Sequence, residues 1–431
     1  MVRPVMALVL AAMLLLFVSC QAGPAPGPVQ ADSPPAPVEQ QPAPEPPPPG
    51  SSEPPEPAPP SPEERQREGE LLAPQVEALC REYSVTGMSL VVFDRYGPFY
   101  RQNWGWAVKE TGQPVTGETI FRVASISKAV TALLALDLAD KGLLDLHGDL
   151  TGSLGLPVKN PNCPEEVITP WHLLTHTSGI IDSQAYWSAL ERPSLPPLET
   201  VLPRSYAPCP PGGGYCYSNL GMGLMAGVIE TAAGERFLDY TGQEIFAPMG
   251  IDAAYSYTGI RHKERVANIY EGKTLAVSMP GWWTMSAKYT GLPQGQLYAL
   301  GHGDLFITAG DLCRFVQIMA GCPQEGEPVA LSRQTLRLMQ EVQYQEGEGP
   351  QEVLRGLGTH ITRHLVEGRQ MAGHQGNAYG SVSAVFFDPE DQTGFVFLTN
   401  GAWGGKDEAG LYDVNREVAR VVYGAFFEGE G

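Results

Sequence analysis

Apolar and polar positions follow distinct patterns along this chain, and each pattern predicts an element. An unbroken apolar run at 5–18 gives way to a stretch rich in Pro, Ala, Glu, Gln, Gly and Ser that has almost nothing to bury. From about Arg65 the pattern becomes that of a globular domain. Residues 68–83 place Leu71, Leu72, Val76, Leu79 and Cys80 on one helical face, with Pro74 marking a kink or the true start. Runs at 88–94 and 99–104 flank a turn at Tyr96-Gly97 and predict a β-hairpin. At 119–123 a short strand-like run feeds directly into a helical pattern that continues through Leu133, Leu134, Leu136 and Leu138. A short helix is expected at 168–176 and another at 220–233, the second after the loop Pro210-Pro211-Gly212-Gly213-Gly214. The run 301–312 leads into a helix capped by Thr308. Runs at 358–362, 370–376, 381–387 and 394–399, separated by turn residues, read as an antiparallel meander, with a final helix at 411–426.

The N-terminal patterns define two segments ahead of the folded part. One early positive charge, Arg3, precedes an apolar run of roughly fourteen residues, short for a membrane span but right for the core of a signal peptide. The run stops at Phe17-Val18-Ser19-Cys20, which resembles the lipobox of bacterial lipoproteins, with Phe17 where leucine is usual. The resemblance implies lipidation of Cys20 after cleavage, and with it an extracytoplasmic, membrane-anchored protein. The Pro-rich stretch, which includes Pro46-Pro47-Pro48-Pro49, would then be an extended tether reaching on the order of 100 Å from its anchor. The expected organisation is signal peptide 1–19, disordered tether 20–64 and one folded domain 65–431.

Composition narrows the function classes. A formal charge of -20 lacks the basic footprint that nucleic acid requires and disfavours loose attraction to anionic lipid. Of seven cysteines, Cys20 is accounted for, and no spacing among the other six suits zinc. Cys209 and Cys216 are the obvious local candidates for pairing, whereas Cys313 falls on an apolar helix face and reads as a buried thiol. The pairs His172/His176 and His360/His364 share a four-residue spacing but lack the glutamate and third ligand of a metal site, so they read as structural.

The candidate chemistry begins where the 119–123 run meets its helix. Ser125 and Lys128 lie three positions apart, which on a helix puts both side chains on one face. A serine hydroxyl needs a base to become nucleophilic, and a lysine held out of water has its pKa lowered enough to serve. The helix N-terminus adds N–H groups where an oxyanion would develop. Tyr217 and Asn219, two apart at a loop-to-helix turn, can point the same way into a cleft: a phenol to relay a proton, a carboxamide to hold a lysine and a substrate amide. His374-Gln375-Gly376-Asn377 edges a strand, where Gly376 permits close backbone approach by a ligand and the Asn377 N–H is a candidate second oxyanion donor.

Together, Ser125-Ile126-Ser127-Lys128, Tyr217-Ser218-Asn219 and His374-Gln375-Gly376 resemble, in order, the three motifs of the β-lactamase and penicillin-binding-protein superfamily. The version is similar to class C β-lactamases and their peptidase and esterase relatives. Leu173-Leu174-Thr175-His176-Thr177-Ser178-Gly179 and Thr308-Ala309-Gly310-Asp311-Leu312 resemble the family's structural signatures, so the likeness spans roughly 67–427. It implies an α/β (α+β) fold: an antiparallel sheet flanked by helices, an adjoining mostly helical lobe, and the site between them. Carried over residue by residue, Ser125 is acylated with Lys128 as its proton partner. Tyr217 shares base work and protonates the leaving group. Asn219 positions Lys128 and the substrate, and the Ser125 and Asn377 N–H groups form the oxyanion hole. No metal or organic cofactor is implied. The partners implied are a small peptide, amide or ester, a covalent β-lactam adduct, and a membrane reached only through the lipid anchor.

The chain departs from many relatives at His374, where lysine is common. Histidine is mostly neutral near pH 7, so a substrate carboxylate is met weakly unless His374 is kept charged or Arg369 helps. The H-x-G form resembles D-aminopeptidases and D-stereospecific peptidases, which places peptidase or esterase activity on D-amino-acid-containing wall material ahead of β-lactam hydrolysis. The competing reading is a wall-peptide or penicillin-binding sensor with negligible turnover. Residues 274–294, with Trp282-Trp283, are either an insertion roofing the cleft or packing.

Overall fold

The structure is a computed structural model that describes residues 61–279 and 291–427. The expected signal peptide, Cys20, the expected tether before residue 61 and Trp282-Trp283 lie outside the described residues.

Helix α1 (Pro62–Glu82) starts earlier than the apolar pattern suggests, and the expected boundary at 64 falls inside its first turn. The reason is local. The Ser61 hydroxyl accepts from the Glu64 N–H while the Glu64 carboxylate accepts from the Ser61 N–H, a capping box, and Pro62 fills a position that needs no donor. Pro74 sits within the helix without ending it. Strands β1 (Gly87–Asp94) and β2 (Gly97–Val108) form the expected hairpin, and β3 (Gln113–Pro114) extends its edge.

The main sheet has nine strands, and every pairing is antiparallel. Its order is β3-β2-β1-β13-β12-β11-β10-β9-β8, with β8 (Tyr344–Glu346), β9 (Val353–Arg355), β10 (His360–Thr362), β11 (Met371–Ala378), β12 (Ser381–Asp388) and β13 (Thr393–Thr399). The expected meander is β10 to β13; β8 and β9 are too short and polar to stand out in the sequence. Strands β1, β12 and β13 are buried along their whole length because the sheet is covered on both faces. Leu90, Val92, Phe386, Phe395 and Phe397 pack against Leu72 and Val76 of α1 and against Val414, Val418 and Val422 of the last helix. Val91, Phe93, Val385, Phe387, Val396 and Leu398 belong to the larger core shared with the helical lobe.

That lobe is built around α2 (Ser127–Asp140), buried on all sides from Ser127 to Leu138, as its Ala- and Leu-rich sequence requires. Helix α3 (Asn219–Ala233) packs beside it, and α4 (Ala309–Ala320) starts at Thr308, whose hydroxyl accepts from the Asp311 N–H as expected. Two short strands, β4 (Ile120–Arg122) and β7 (Phe306–Thr308), pair ahead of α2; β5 (Ile269–Glu271) and β6 (Thr274–Val277) form a separate hairpin. The last helix, α5 (Asp413–Phe426), lies against α1, so the two ends of the domain close one face together. No helix among the described residues is long and apolar enough to cross a membrane. Phe397 is fully buried between sheet and helices, so Phe397→Ala should cost about 3–5 kcal/mol in a urea titration of the folded domain.

Candidate active site

Between β4 and α2 the backbone makes a tight 3-10 turn at Ala124–Ile126, and this turn aims Ser125. Ala124 takes a left-handed φ of 48°, a conformation that costs a non-glycine residue on the order of 1 kcal/mol. The buried Ser127 holds it there: its hydroxyl donates to the Ala124 carbonyl at 2.6 Å and accepts from the Leu305 N–H at 3.1 Å. Strand β11 presses on the same turn. A Cβ at Gly376 would sit 2.4 Å from the Val123 carbonyl, so the glycine that seemed to make room for a ligand makes room for this chain's own backbone.

Lys128 is fully buried, and its amine touches three oxygens: Ser125 Oγ at 3.0 Å, Asn219 Oδ1 at 2.8 Å and the His302 carbonyl at 2.7 Å. Burial is the main reason its pKa falls to about 7, with Arg122 adding to the fall and Asp182 and Asp304 opposing it. The three contacts are not equivalent. An amide or peptide oxygen can only accept, so Asn219 and His302 each hold one hydrogen of the amine. Once the amine is neutral, its lone pair is left facing Ser125, which alone of the three partners has a proton to give.

Asn219 is oriented from behind by Asp182, which the sequence did not single out. The carboxylate accepts from Asn219 Nδ2 at 2.7 Å, from the Leu220 N–H at 2.8 Å and from the Ser218 hydroxyl at 3.2 Å. A carboxylate accepts only, which fixes the amide nitrogen toward Asp182 and the amide oxygen toward Lys128. The same contact caps the first turn of α3, where negative charge is favoured. The available signal was its place three residues beyond Gly179 in the family signature.

Tyr217 completes the cluster. The neighbouring Ser125 acts to lower the pKa of the Tyr217 phenol, and Lys128 Nζ lies 4.9 Å from its ring centroid. The ring is 36% exposed to the cleft, yet desolvation still dominates and pushes the phenol up to about 12. The phenol therefore keeps its proton near neutrality and is arranged as a donor, so base work rests on Lys128. His176 lies under the ring at 4.5 Å between centroids, and its Nδ1 accepts from the Ser218 N–H at 3.3 Å. Its partner in spacing, His172, has its Nδ1 at the start of its own short helix, accepting from the Thr169 N–H at 3.2 Å. Both histidines have packing roles, as expected.

His374, buried on β11, has Nδ1 2.7 Å from the Gln375 carbonyl, so that nitrogen carries the hydrogen. Burial and the nearby Lys128, Arg355 and Lys406 lower its pKa to about 3, which removes the option of a charged His374. Arg369 is elsewhere, paired with Asp388 and Asp391 and donating to the Phe427 carbonyl. Asn377 is exposed, and its side-chain amide donates to the Tyr412 hydroxyl at 2.7 Å. Cys313 is a buried thiol, as its position implied.

The family model described as Beta-lactamase matches residues 65–420. The chain belongs to the β-lactamase family. Among curated β-lactamase-family relatives, it is 30% identical over 175 residues to penicillin-binding protein 4* of Bacillus subtilis (strain 168), a match covering 39% of this chain and 37% of that one. It is 26% identical over 329 residues to penicillin-binding protein 4 of Amycolatopsis lactamdurans, covering 75% of this chain and 83% of that one. The solved octameric penicillin-binding protein homologue from Pyrococcus abyssi shares the fold, with a TM-score of 0.64 at 21% identity over 82% of this chain and 77% of that one.

Because the Lys128 amine must lose a proton to receive one, acylation of Ser125 by a neutral active ester should speed up as pH rises through about 7. Asp182 raises the lysine's pKa, so Asp182→Asn should move that midpoint to lower pH, read by stopped-flow or mass-spectrometric labelling rates.

Proposed function

We propose that this β-lactamase-family protein is a serine hydrolase that works through an acyl-Ser125 intermediate on small peptides, amides or esters, with D-amino-acid-containing wall peptides as the leading substrate class. The observation that carries the reading is the buried amine of Lys128, held by two obligate acceptors with its remaining position turned to the serine hydroxyl.

The steps follow from those contacts. Neutral Lys128 takes the Ser125 proton as Oγ bonds to the substrate carbonyl carbon, and the carbonyl pair moves onto oxygen. The Ser125 and Asn377 backbone N–H groups are the donors assigned to that oxyanion. As the tetrahedral centre collapses, the bond to the leaving amine or alcohol breaks and Tyr217 gives it a proton, with Lys128 resupplying the phenol. Water then attacks the acyl ester, losing its proton to the same pair, and Ser125 leaves with a proton restored. Each step uses the Ser125, Lys128 and Tyr217 cluster, and none calls for a metal or cofactor.

One feature favours peptidase or esterase activity over efficient β-lactam hydrolysis: the neutral His374, at the position where the family resemblance leads to the expectation of lysine. The setting proposed with it is extracytoplasmic, with the domain carried on a lipidated Cys20 and a Pro-rich tether. The sensor reading has less in its favour, since binding alone has no use for a buried amine aimed at a serine.

Turnover of D-alanyl esters and amides, followed by mass spectrometry alongside a reporter β-lactam, tests the proposal. Ser125→Ala should abolish turnover and adduct formation. Lys128→Ala should slow acylation by about 10³-fold or more, and Tyr217→Phe should slow it by about 10²- to 10⁴-fold. A stable β-lactam adduct with no turnover of any ester or amide would establish the sensor instead.

A further inference from the structure

The segment 215–218 carries the proton donor, and His176 grips it along its length. The His176 carbonyl accepts from the Cys216 N–H at 2.8 Å, and its Nδ1 accepts from the Ser218 N–H at 3.3 Å. Its ring lies 4.5 Å from the Tyr217 ring between centroids and meets the Tyr215 ring edge-on at 6.0 Å. Tyr217 is therefore bracketed. The N–H groups of both its neighbours end on one residue, and the imidazole of that residue packs against the phenol ring between them. The outer end of the segment is tied separately by Arg355, which donates to the Tyr215 hydroxyl with its guanidinium 4.7 Å from that ring's centroid.

The grip needs a neutral imidazole. Only a bare ring nitrogen can accept the Ser218 N–H, so the hydrogen sits on Nε2. Burial is the main reason the His176 pKa lies well below the usual range, with Arg355, Lys128 and His374 pushing the same way. His176 also takes a left-handed φ of 58°, which costs a non-glycine residue on the order of 1 kcal/mol. Strain of this kind persists only where the surroundings over-determine it, and here the surroundings include the segment that carries Tyr217. The phenol is partly exposed to the cleft, so the imidazole packed against its ring limits how far it can swing.

We propose that His176 is the positioning residue for Tyr217, holding the phenol where its proton meets the leaving group as the tetrahedral centre collapses. The proposal rests on the acyl-serine reading and adds to it the residue that aims the proton donor. At that step the bond from the carbonyl carbon to the leaving nitrogen breaks, and its electron pair takes the phenolic proton. Lys128, protonated when Ser125 attacked, returns a proton to the phenolate. A phenol displaced by about an ångström still permits attack by Ser125 but delivers its proton poorly. The consequence is selective. Amides, whose amine must be protonated to leave, depend on His176, whereas p-nitrophenol esters, whose leaving group departs as a stable anion, do not. His176 thereby sets which leaving groups the acylation step can expel.

The test measures acylation of Ser125 by an N-acyl-D-alanyl p-nitrophenyl ester and by the corresponding amide, followed by product release and by mass spectrometry of the adduct. Asparagine and glycine both tolerate a left-handed backbone, so His176→Asn and His176→Gly add no strain at that position. His176→Asn offers the Ser218 N–H an acceptor but no ring, and should slow the amide about tenfold. His176→Gly offers neither and should slow it about a hundredfold, with the ester within about threefold of wild type in both variants. Tyr217→Phe should show the same bias against the amide. Adding His176→Gly to Tyr217→Phe should slow the amide no further, since the donor it aims is already gone. Labelling of Ser125 by the ester reports folding, and where His176→Gly fails to label, His176→Asn carries both comparisons. Equal losses on ester and amide, or losses that multiply in the double variant, would overturn the positioning role alone. A Tyr217→Phe protein that expels the amide as fast as wild type would overturn the proton-donor assignment and the positioning role with it. Absence of any Ser125 adduct with the ester in the wild-type protein would overturn the acyl-serine reading itself.

Discussion

The chemistry of this site depends on one amine kept out of water. A lysine side chain in bulk solvent is protonated near neutrality and cannot accept anything. Sealed under the cleft floor with two carbonyl-type oxygens to hold its hydrogens, Lys128 spends much of its time neutral, with its free electron pair directed at Ser125. Everything nearby serves that arrangement. The Ser127 hydroxyl pins a left-handed turn so that the nucleophile faces the amine, and Asp182 fixes the Asn219 amide so that its oxygen points inward.

The two layers of the domain contribute different things. The helical lobe supplies the amine from α2 and the nucleophile and the phenol from the segments leading into α2 and α3, where rigid packing sets distances to a fraction of an ångström. The main sheet supplies β11, which is pressed so closely against the Ser125 turn that only glycine fits at 376. That contact couples the cleft walls: a shift of the strand would displace the serine. The reactive side chains and β11 thus sit on different supports that meet closely at the Ser125 turn.

Much of this was legible in the sequence because the elements that matter are long or strongly patterned. The hairpin, the buried helix after Ser125, the meander and the terminal helices all carry clear periodicity, and the three motifs marked the cleft. The start of the first helix was misplaced because a capping box, made by two polar side chains, outweighed apolar spacing. Asp182 and Arg355 stayed hidden because each acts through partners far away in the chain. Asp182 is 37 residues from Asn219 and Arg355 is 140 from Tyr215, and no local pattern announces such a meeting. The protonation states of His374 and Tyr217 were equally out of reach, since burial decides them.

The sheet also constrains how the molecule is made. Strand β1 has β2 on one side and β13 on the other, so one of its ladders joins Met88 to Thr399, about 300 residues apart. Until the last strand is synthesised, an apolar strand near the beginning of the domain is left with an open hydrogen-bonding edge. Maturation must therefore wait for a complete chain, and the nascent polypeptide carries a sticky edge throughout its elongation that only its own distal end can quench.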